Sequence, residues 1–425
     1  MNAQQYFIEK ANNDLLKFSK LFKCSSLKDR IKGINIILKE LEVSNQLTYR
    51  RVIQSPTGRK VLIEGAYKNE QREMLMFASN NYLGFANHPY ILEMITRGMK
   101  KYGAGLGGPP LLNGYTMLMK ELEARISNLK KKEDTLIFSS GYAANLGLVS
   151  SFSTKKNHFV IDKYSHASLY DGLKMNHSEY DVFKHNNMAH LDAILTKRAS
   201  EKHEELFICA EGVYSMDGDL APIPEIVALS EKHNAITIID DAHGTGLLGE
   251  HGGGTPEHFN MEKEVSIIIG TFSKAFAQTG GFVSADKSLI NYIRYFARPY
   301  VFSAALTPTA LIAMLAGLDL IEKEPWRRTN VLEITKYANA KLSNFKLCAS
   351  PEAAIISVLV PEWMNIRVAN SALDKMGIFL NAIEFPAVPI NKQRFRISLT
   401  ADHTKKDIDY LVECLELVWE IQKIA

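Results

Sequence analysis

Polar residues follow the apolar, strand-like runs of this 425-residue chain at consecutive points along the sequence. The run "SIIIGTFS" carries Thr271 and Ser273 near its end, and Lys274 follows directly. An ammonium group at the end of a buried strand is costly to bury unless it has a partner or a chemical use. The other runs are followed, in chain order, by Ser139, Ser140, Gly141 and Tyr142, then His166, Ser215, Asp217, Asp240 and His243. Because ligands of open parallel sheets bind beyond the carboxyl ends of the strands, this set predicts a binding site there.

One stretch of the set is suited to a phosphate group. "FSSGYAANLG" (138–147) predicts a strand, a glycine turn and the first turn of a helix. The N-terminus of a helix offers unpaired N–H groups and the positive end of the helix dipole to an anion. Thr271 and Ser273 add two hydroxyl donors. A turn of this kind is common in ordinary α/β proteins, so its meaning depends on the residues that accompany it.

The accompanying residues favour pyridoxal phosphate (PLP) chemistry. Asp240 ends the run "AITIID", where a carboxylate would keep a pyridine nitrogen protonated and make the ring an electron sink. Lys274 would form the Schiff base with the cofactor's aldehyde. His166, in "DKYSHASLYDG", is placed to stack on the ring. Each residue alone has an ordinary structural explanation, but the combination in this order predicts a PLP site.

The elements that must position these residues alternate along the chain. Between about residues 90 and 300, apolar strand-like runs and amphipathic helical stretches follow one another, which predicts a mostly parallel central sheet with helices on both faces. The predicted strands cover 135–140, 158–162, 206–212, 235–241 and 266–273. The predicted domains are a helical N-terminal segment (1–55), a large cofactor-binding domain (56–300) and a smaller α+β domain (301–425).

Composition and charge are those of an ordinary globular protein, with 46% hydrophobic and 23% charged residues. A net charge of +3 gives no indication of nucleic-acid binding. Cys24, Cys209, Cys348 and Cys414 form no CxxC pair, so we expect reduced thiols and no metal site. The chain has neither a signal-peptide pattern at its start nor an apolar run of 18 residues, so we expect a soluble, cytoplasmic protein without a transmembrane segment.

Several long segments resemble the α-oxoamine synthases, a branch of the fold-type I PLP-dependent transferases. The longest are "EGVYSMDGDLAPIPEI" (211–226), "DDAHGTGLLGEHGGGTPEHF" (240–259) and "GTFSKAFAQTGGFV" (270–283), and the shorter "SNNYLGFANHP" (79–89) and "RISLTADHT" (396–404) also match. The resemblance covers about residue 50 to the end of the chain. It implies an α/β fold of fold type I with a smaller C-terminal domain, and a homodimer whose active site lies at the subunit interface.

The resemblance also implies roles for individual residues. Lys274 would bind the cofactor and exchange protons at the substrate α-carbon, and Asp240 would pair with the pyridine nitrogen. His243 would contact the phenolic oxygen, and His166 would stack over the ring and orient the substrate carboxylate. The implied phosphate and ring-edge contacts are Ser140, Gly141, Tyr142, Ser215, Thr271 and Ser273, with Thr307 reaching the partner's cofactor. The implied substrate contacts are Asn80, Tyr82 and Arg396.

The implied reaction is a decarboxylative Claisen condensation of an amino acid with an acyl thioester. "VFKHNNMAHLDAIL" (182–195), "ARPYVFSAALTP" (297–308) and the stretch 385–404 look most like bacterial serine palmitoyltransferases. The leading hypothesis is therefore the condensation of serine with a long-chain acyl thioester to a 3-keto sphingoid-type base. Cysteate-using relatives of sulfonolipid synthesis, 8-amino-7-oxononanoate synthase and 2-amino-3-ketobutyrate ligase are alternatives within the family. A PLP aminotransferase, an aldolase and a non-enzymatic subunit are alternatives from other classes.

Two features depart from the family pattern. "GLGGPPLLNGYT" (105–116), with Pro109 and Pro110, stands where many members carry a Gly-Ser-Arg run near the substrate entrance. The first 50 residues are also longer and more helical than is usual in the family. The sequence therefore leaves open the amino acid, the length of the acyl chain, and whether coenzyme A or acyl carrier protein delivers it.

Overall fold

A computed structural model describes residues 26–44, 46–47, 49–64, 71–201, 205–385 and 387–424. The chain divides into two compact units, a large one (Asn80–Leu332) and a small one formed by Met1–Ser79 together with Glu333–Ala425. Of the predicted helical segment 1–55, residues 1–25 lie outside the described residues, and the described part contains the helix Leu27–Val43. No helix among the described residues is long and apolar enough to cross a bilayer.

The large unit is built on a seven-stranded sheet. Its spatial strand order is Asp134–Phe138, Gly281–Ala285, Ile267–Thr271, Ile236–Asp240, Glu205–Glu211, Asn157–Asp162 and Glu179–Phe183. Gly281–Ala285 runs antiparallel to both of its neighbours, whereas every other pairing within the sheet is parallel. The predicted mostly parallel sheet is therefore confirmed.

Hydrophobic cores lie on both faces of this sheet. Successive side chains of a strand point to opposite faces, and the strand Ile267–Thr271 is buried along its whole length. Ile267 and Ile269 belong to one core, whereas Ile268 between them belongs to the other. Helices cover each core, as the continuous apolar strands predict.

The helices of the large unit include one that extends it beyond the predicted boundary. The longer helices are Pro89–Tyr102, Met117–Lys130, Gly141–Phe152, Ala167–Met175, Met188–Ala199, Ile223–His233, Lys287–Phe296 and Pro308–Lys323. Shorter turns cover Phe85–Asn87, Pro110–Gly114, Thr255–His258 and Arg298–Val301. Most of the last long helix is buried, and it packs against Pro89–Tyr102 and Met117–Lys130. Because such an apolar helix must be covered on most sides, the large unit continues past residue 300 to Leu332.

The small unit contains two three-stranded sheets. Lys60–Glu64 and Gln71–Met76 pair antiparallel, and Ile378–Phe379 adds to the second strand in parallel. Arg394–Ser398 pairs antiparallel with both Ile355–Leu359 and Asn381–Ile383. The helices Leu27–Val43, Ile366–Lys375 and Lys405–Ile424 and the short turn Ile390–Lys392 belong to this unit, whose second segment begins within the helix Trp326–Lys341.

Candidate active site

A cavity of about 260 Å³ lies at the carboxyl ends of the central strands of the large unit. Its lining includes nine of the residues predicted from the sequence, namely Ser140, Gly141, Tyr142, His166, Asp240, His243, Thr271, Ser273 and Lys274. The other lining residues are Asn145, Ser168, Glu211, Ala242, Gly270, Thr279 and Gly280. The structure therefore brings together residues from five separate stretches of the chain, as the strand ends of a parallel sheet allow.

Lys274 is held at the cavity wall by a hydroxyl-linked turn. The Thr271 hydroxyl donates to the carbonyl of Gly280 at 2.9 Å and accepts the backbone N–H of Ser273 at 3.2 Å. The Ser273 hydroxyl, 3.0 Å from the Thr271 Oγ1, completes the link. Since the strand before Lys274 is fully buried, the turn delivers a half-buried amine from the core to the cavity.

The helix Gly141–Phe152 starts at the cavity. Ser140 caps it, with its Oγ accepting the N–H of Ala143 at 3.0 Å. A Cβ atom on Gly141 would lie 2.9 Å from the Cβ of Thr271, so only glycine allows this close approach. The first N–H groups of a helix have no partners within the helix, and this helix start therefore fits a phosphate.

The two neighbouring aspartates at the end of the strand Ile236–Asp240 have different partners. Asp240 is buried and lines the cavity, and its carboxylate accepts the Nδ2 of Asn145 at 2.8 Å and the N–H of Ala242 at 3.1 Å. Asp241 instead forms an ion pair with Lys130 at 2.7 Å, and both side chains are fully buried. Both donors to Asp240 are neutral, so its carboxylate fits the protonated ring nitrogen of a pyridine.

His166 caps the helix Ala167–Met175, and its ring lines the cavity. Its Nδ1 lies 2.7 Å from the Oγ of Ser168, which in turn accepts the Nδ2 of Asn145 at 2.8 Å. Partial removal of the ring from water lowers the pKa of His166, the charge of Asp240 opposes this effect, and the charge of Lys274 adds to it. A neutral imidazole at neutral pH follows.

His243 connects the cavity to two of the predicted substrate residues. Its Nδ1 lies 2.7 Å from the hydroxyl of Tyr82, and that hydroxyl lies 3.2 Å from the Oδ1 of Asn80. Tyr82 and His243 are both buried, which fixes their rings. The two residues from "SNNYLGF" are therefore bonded to the lining of the cavity rather than part of it.

Besides Asn80 and Tyr82, three predicted site residues do not line the cavity. Ser215 donates its N–H to the Oε2 of Glu211 at 3.1 Å, and it is Glu211 that lines the cavity. Thr307 is exposed and caps the helix Pro308–Lys323. Arg396 is buried in the small unit, where it donates to the Oγ of Ser398 at 2.8 Å. The roles predicted for these residues remain predictions.

Sequence reasoning missed Asn145, Ser168 and Glu211. Asn145 follows Gly141 by four residues, a spacing that places both on one face of a helix. The stretch "FSSGYAANLG" therefore already indicated that Asn145 lies near the site. Glu211 ends a strand, and its Oε1 has no hydrogen-bond partner among the described residues. Burial raises the pKa of Glu211 well above its ordinary value, and the charge of Asp240 raises it further. Buried polar atoms without partners are rare, so this oxygen fits a cavity that binds a ligand.

Comparisons with known proteins identify the family of this chain. The family model "Aminotransferase class I and II" matches residues 72–415. The 8-amino-7-oxononanoate synthase of Thermoanaerobacter pseudethanolicus is 35% identical over 382 residues, which cover 90% of this chain and 94% of the relative. The serine palmitoyltransferase of Sphingobacterium spiritivorum is 36% identical over 400 residues, covering 94% and 98%.

A solved structure extends the agreement to the fold and the cofactor. The serine palmitoyltransferase from S. paucimobilis, solved with PLP and myriocin bound, superposes with a TM-score of 0.88 at 26% identity, and the match covers 94% of this chain and all of that chain. The predicted fold type and the predicted cofactor, PLP, are thus confirmed. The chain belongs to the aminotransferase class I and II family and, within it, to the α-oxoamine synthases.

Proposed function

We propose that this protein condenses an amino acid with an acyl thioester, releasing carbon dioxide and free thiol, and that serine and a long-chain acyl group are its substrates. The observation that carries the proposal is that Lys274, Asp240 and His166 line one cavity. A non-enzymatic subunit would be expected to have lost the lysine. The similarity to a serine palmitoyltransferase over nearly the whole chain supports the choice of substrates.

The chemistry divides between the cofactor and the chain. PLP, when bound, supplies an electron sink that makes the α-proton of an amino acid acidic. Lys274 would hold the cofactor and move the proton at the α-carbon, because its turn fixes the amine at the cavity wall. Asp240, which accepts the Nδ2 of Asn145 at 2.8 Å, would keep the ring nitrogen protonated. His166 would cover the ring face and receive the substrate carboxylate.

A second candidate, 8-amino-7-oxononanoate synthesis, is favoured by a relative of nearly equal identity. The turn with Pro109 and Pro110, which departs from the family pattern, is a structural reason to test both candidate functions. Its backbone is tied to the segment 301–308, because the carbonyl of Gly108 accepts the N–H of Ala305 at 2.9 Å. The Nδ2 of Asn113 donates to the carbonyl of Leu106 at 2.8 Å. A rigid turn of this kind would impose a fixed shape on a nearby substrate.

The substrates can be identified by titrating the PLP-loaded enzyme with serine, glycine, alanine and cysteate while recording the visible absorbance of the cofactor. We expect serine to shift the spectrum, and a long-chain acyl thioester of coenzyme A or acyl carrier protein then to yield carbon dioxide and free thiol in equal amounts. Turnover of alanine with pimeloyl thioester alone would select the second candidate. Transfer of the amino group without carbon dioxide would indicate an aminotransferase and overturn the proposal.

We also propose that two copies form a homodimer. Support comes from large apolar side chains exposed close together along the chain, since Tyr295 is 69%, Phe296 56% and Phe302 74% exposed, and Thr307 is also exposed. Groups of exposed apolar side chains are typical of protein interfaces, whereas single ones are not. In the proposed dimer, Thr307 of each copy contacts the phosphate bound by the other copy.

A further inference from the structure

Three buried side chains, of Asp240, Asn145 and Ser168, and the exposed side chain of His166 form one hydrogen-bonded chain along the cavity wall. We call this chain the relay. Asn145 lies in its centre, and its Nδ2 is 2.8 Å from the Oδ2 of Asp240 and 2.8 Å from the Oγ of Ser168. The Oγ of Ser168 lies 2.7 Å from the Nδ1 of His166. Asn145, Ser168 and Asp240 are all at least 95% buried, so water does not compete for the two bonds that Asn145 makes with Asp240 and Ser168.

The chemistry of the groups fixes the direction of every bond. An ionised carboxylate only accepts, so the amide of Asn145 must turn its nitrogen, not its oxygen, to Asp240. The second N–H of the same nitrogen then donates to Ser168. The Ser168 oxygen accepts that bond and keeps its own proton to donate. The backbone N–H of Ser168 points at the Nδ1 of His166, at 3.3 Å, which makes this nitrogen an acceptor. The hydroxyl of Ser168, 2.7 Å from the same nitrogen, therefore donates to it.

A ring nitrogen that receives two donors cannot carry a proton. We therefore propose that Asn145 and Ser168 are positioning residues that hold His166 as the neutral tautomer with its proton on Nε2. In this tautomer the second ring nitrogen is a hydrogen-bond donor, and a substrate carboxylate is the acceptor that it fits. This last step rests on the proposed function, whereas the tautomer itself follows from the contacts within the chain.

Charged groups from three elements act on His166. Asp240 ends the strand Ile236–Asp240, Lys274 follows the strand Ile267–Thr271, and Asp171 lies on the helix that His166 caps. The two carboxylates favour the charged imidazole, whereas burial and Lys274 disfavour it. The hydroxyl of Ser168 adds to the neutral side, because a hydrogen bond to the neutral form lowers the pKa of the group that accepts it. The relay thus opposes the effect of the Asp240 carboxylate, whose negative charge favours a protonated His166.

The tautomer can be read by NMR on the PLP-loaded enzyme labelled with ¹⁵N and ¹³C in histidine. The His166 signals are identified by their loss in His166→Asn. We expect the ¹⁵N shifts to place the proton on Nε2 and the signal to titrate below pH 6.5. In Ser168→Ala we expect a mixture of tautomers and a pKa higher by roughly one unit, the worth of one net hydrogen bond. Ser168→Thr, which keeps the hydroxyl, should restore the original behaviour.

Two further variants separate the relay from a general loss of stability. Ser151→Ala removes another buried serine hydroxyl, one that donates to the carbonyl of Gly147 at 2.7 Å away from His166, and should leave the titration unchanged. Asn145→Leu removes both donors without adding a charge, so Ser168 loses the bond that orients its hydroxyl, and the His166 pKa should rise as in Ser168→Ala. A proton on Nδ1 of the unaltered enzyme, or equal titrations in all variants, would overturn the relay.

The same samples separate this inference from the proposed function. Serine binding, followed through the cofactor absorbance across pH, should weaken in Ser168→Ala as the altered His166 titrates. If the NMR result holds but no amino acid binds to the unaltered enzyme, the relay stands and the proposed function fails. If serine binds normally to the unaltered enzyme while His166 of that enzyme is a mixture of tautomers, the function stands and the relay is refuted.

Discussion

At the scale of single residues, neighbouring carboxylates illustrate how burial and partners decide chemistry. Asp240 and Asp241 are adjacent in sequence, yet the first keeps only neutral donors and the second is neutralised by Lys130. Successive side chains leave the end of a strand in opposite directions, so one of the pair faces the cavity and the other the core. The sequence predicted Asp240 for the cofactor, but the partner of Asp241 lies 111 residues away and could not be read from the motif.

Lys274 is the residue whose loss should have the largest effect on activity. We expect Lys274→Ala to have no detectable turnover, because the amine that binds the cofactor and moves the α-proton is removed. Borohydride treatment followed by mass spectrometry should attach PLP to the Lys274 peptide of the unaltered enzyme and to no peptide of the variant. Lys163→Ala is the matched control, since Lys163 also follows a strand of the sheet but is exposed. Turnover by Lys274→Ala would refute the proposed function.

His185 should make the stability of the protein depend on pH. Its two ring nitrogens lie 3.0 Å from Asp162 and 2.8 Å from Asp219. Burial lowers the pKa of His185, but the hydrogen bonds and charges of the two carboxylates outweigh it and raise the pKa to about 9. Since the unfolded value is about 6.5, the stabilisation is complete below pH 6.5 and is lost as the pH rises through 9.

The test compares the urea unfolding of the unaltered protein and His185→Gln at pH 6 and pH 9.5. We expect the variant to be less stable at pH 6, and the difference to shrink by up to about 3 kcal/mol at pH 9.5. His190→Gln is the control, because the His190 ring accepts the N–H of Lys184 in an exposed bond and pairs with no carboxylate among the described residues. A difference that does not change with pH would contradict the shifted pKa.

At the scale of elements, two strands of the seven-stranded sheet were not predicted from the sequence, each for a physical reason of its own. Glu179–Phe183 is an edge strand and only partly buried, so it lacks the continuous apolar run that marks the inner strands. Gly281–Ala285 is buried, but it follows the Lys274 turn so closely that the glycines read as loop. Its antiparallel direction comes from that short connection. The five strands with long apolar runs were predicted because burial on both faces leaves a clear pattern.

Lys130 should stabilise the fold by joining the end of its helix to the residues that follow the strand Ile236–Asp240. As the last residue of the helix Met117–Lys130, it donates at 2.7 Å to each of Asp241, Thr245 and the carbonyl of Gly253. Lys130→Met would leave the carboxylate of Asp241 buried without a counter-charge. We expect the free energy of unfolding to fall by about 3–5 kcal/mol, measured by urea denaturation at pH 7.

Two variants test whether the uncompensated charge of Asp241 causes the loss of stability in Lys130→Met. Lys131→Met removes the neighbouring lysine, which is 54% exposed and pairs with Glu262, and should cost no more than about 1 kcal/mol. Adding Asp241→Asn to Lys130→Met removes the uncompensated charge and should recover part of the loss. Equal losses for the two lysines would show that burial of the ion pair does not govern this junction.

At the scale of the whole molecule, the sequence could not reveal that the small unit is assembled from both ends of the chain. The strand Gln71–Met76 pairs with Ile378–Phe379, some 300 residues later. Helical and strand periods are local, so they contain no information on a pairing between such distant segments. The large unit was easier to predict, because consecutive strands and helices of a parallel sheet are also neighbours in space.

The proposed dimer predicts that two inactive variants restore each other. In Thr307→Asp, aspartate still caps the helix Pro308–Lys323, but its negative charge would repel the phosphate bound by the partner copy. Lys274→Ala inactivates its own site only. In a mixed dimer, the copy with the intact lysine receives an unaltered Thr307 from its partner, so one complete site forms while the other carries both defects.

Mixing the two variants by co-expression with different affinity tags therefore tests the interface and the role of Thr307 together. Each homodimer should be inactive or nearly so, and the purified mixed dimer should reach about half the turnover of the unaltered enzyme, the share of one site in two. If Thr307 acted on the cofactor of its own copy, the site with the intact lysine would retain the added charge, and mixing would restore nothing. Thr309→Asp is the control for added charge, since Thr309 lies two residues away with its hydroxyl 3.0 Å from that of Thr307. Restoration thus requires both that the protein dimerises and that each phosphate site is completed by the other copy.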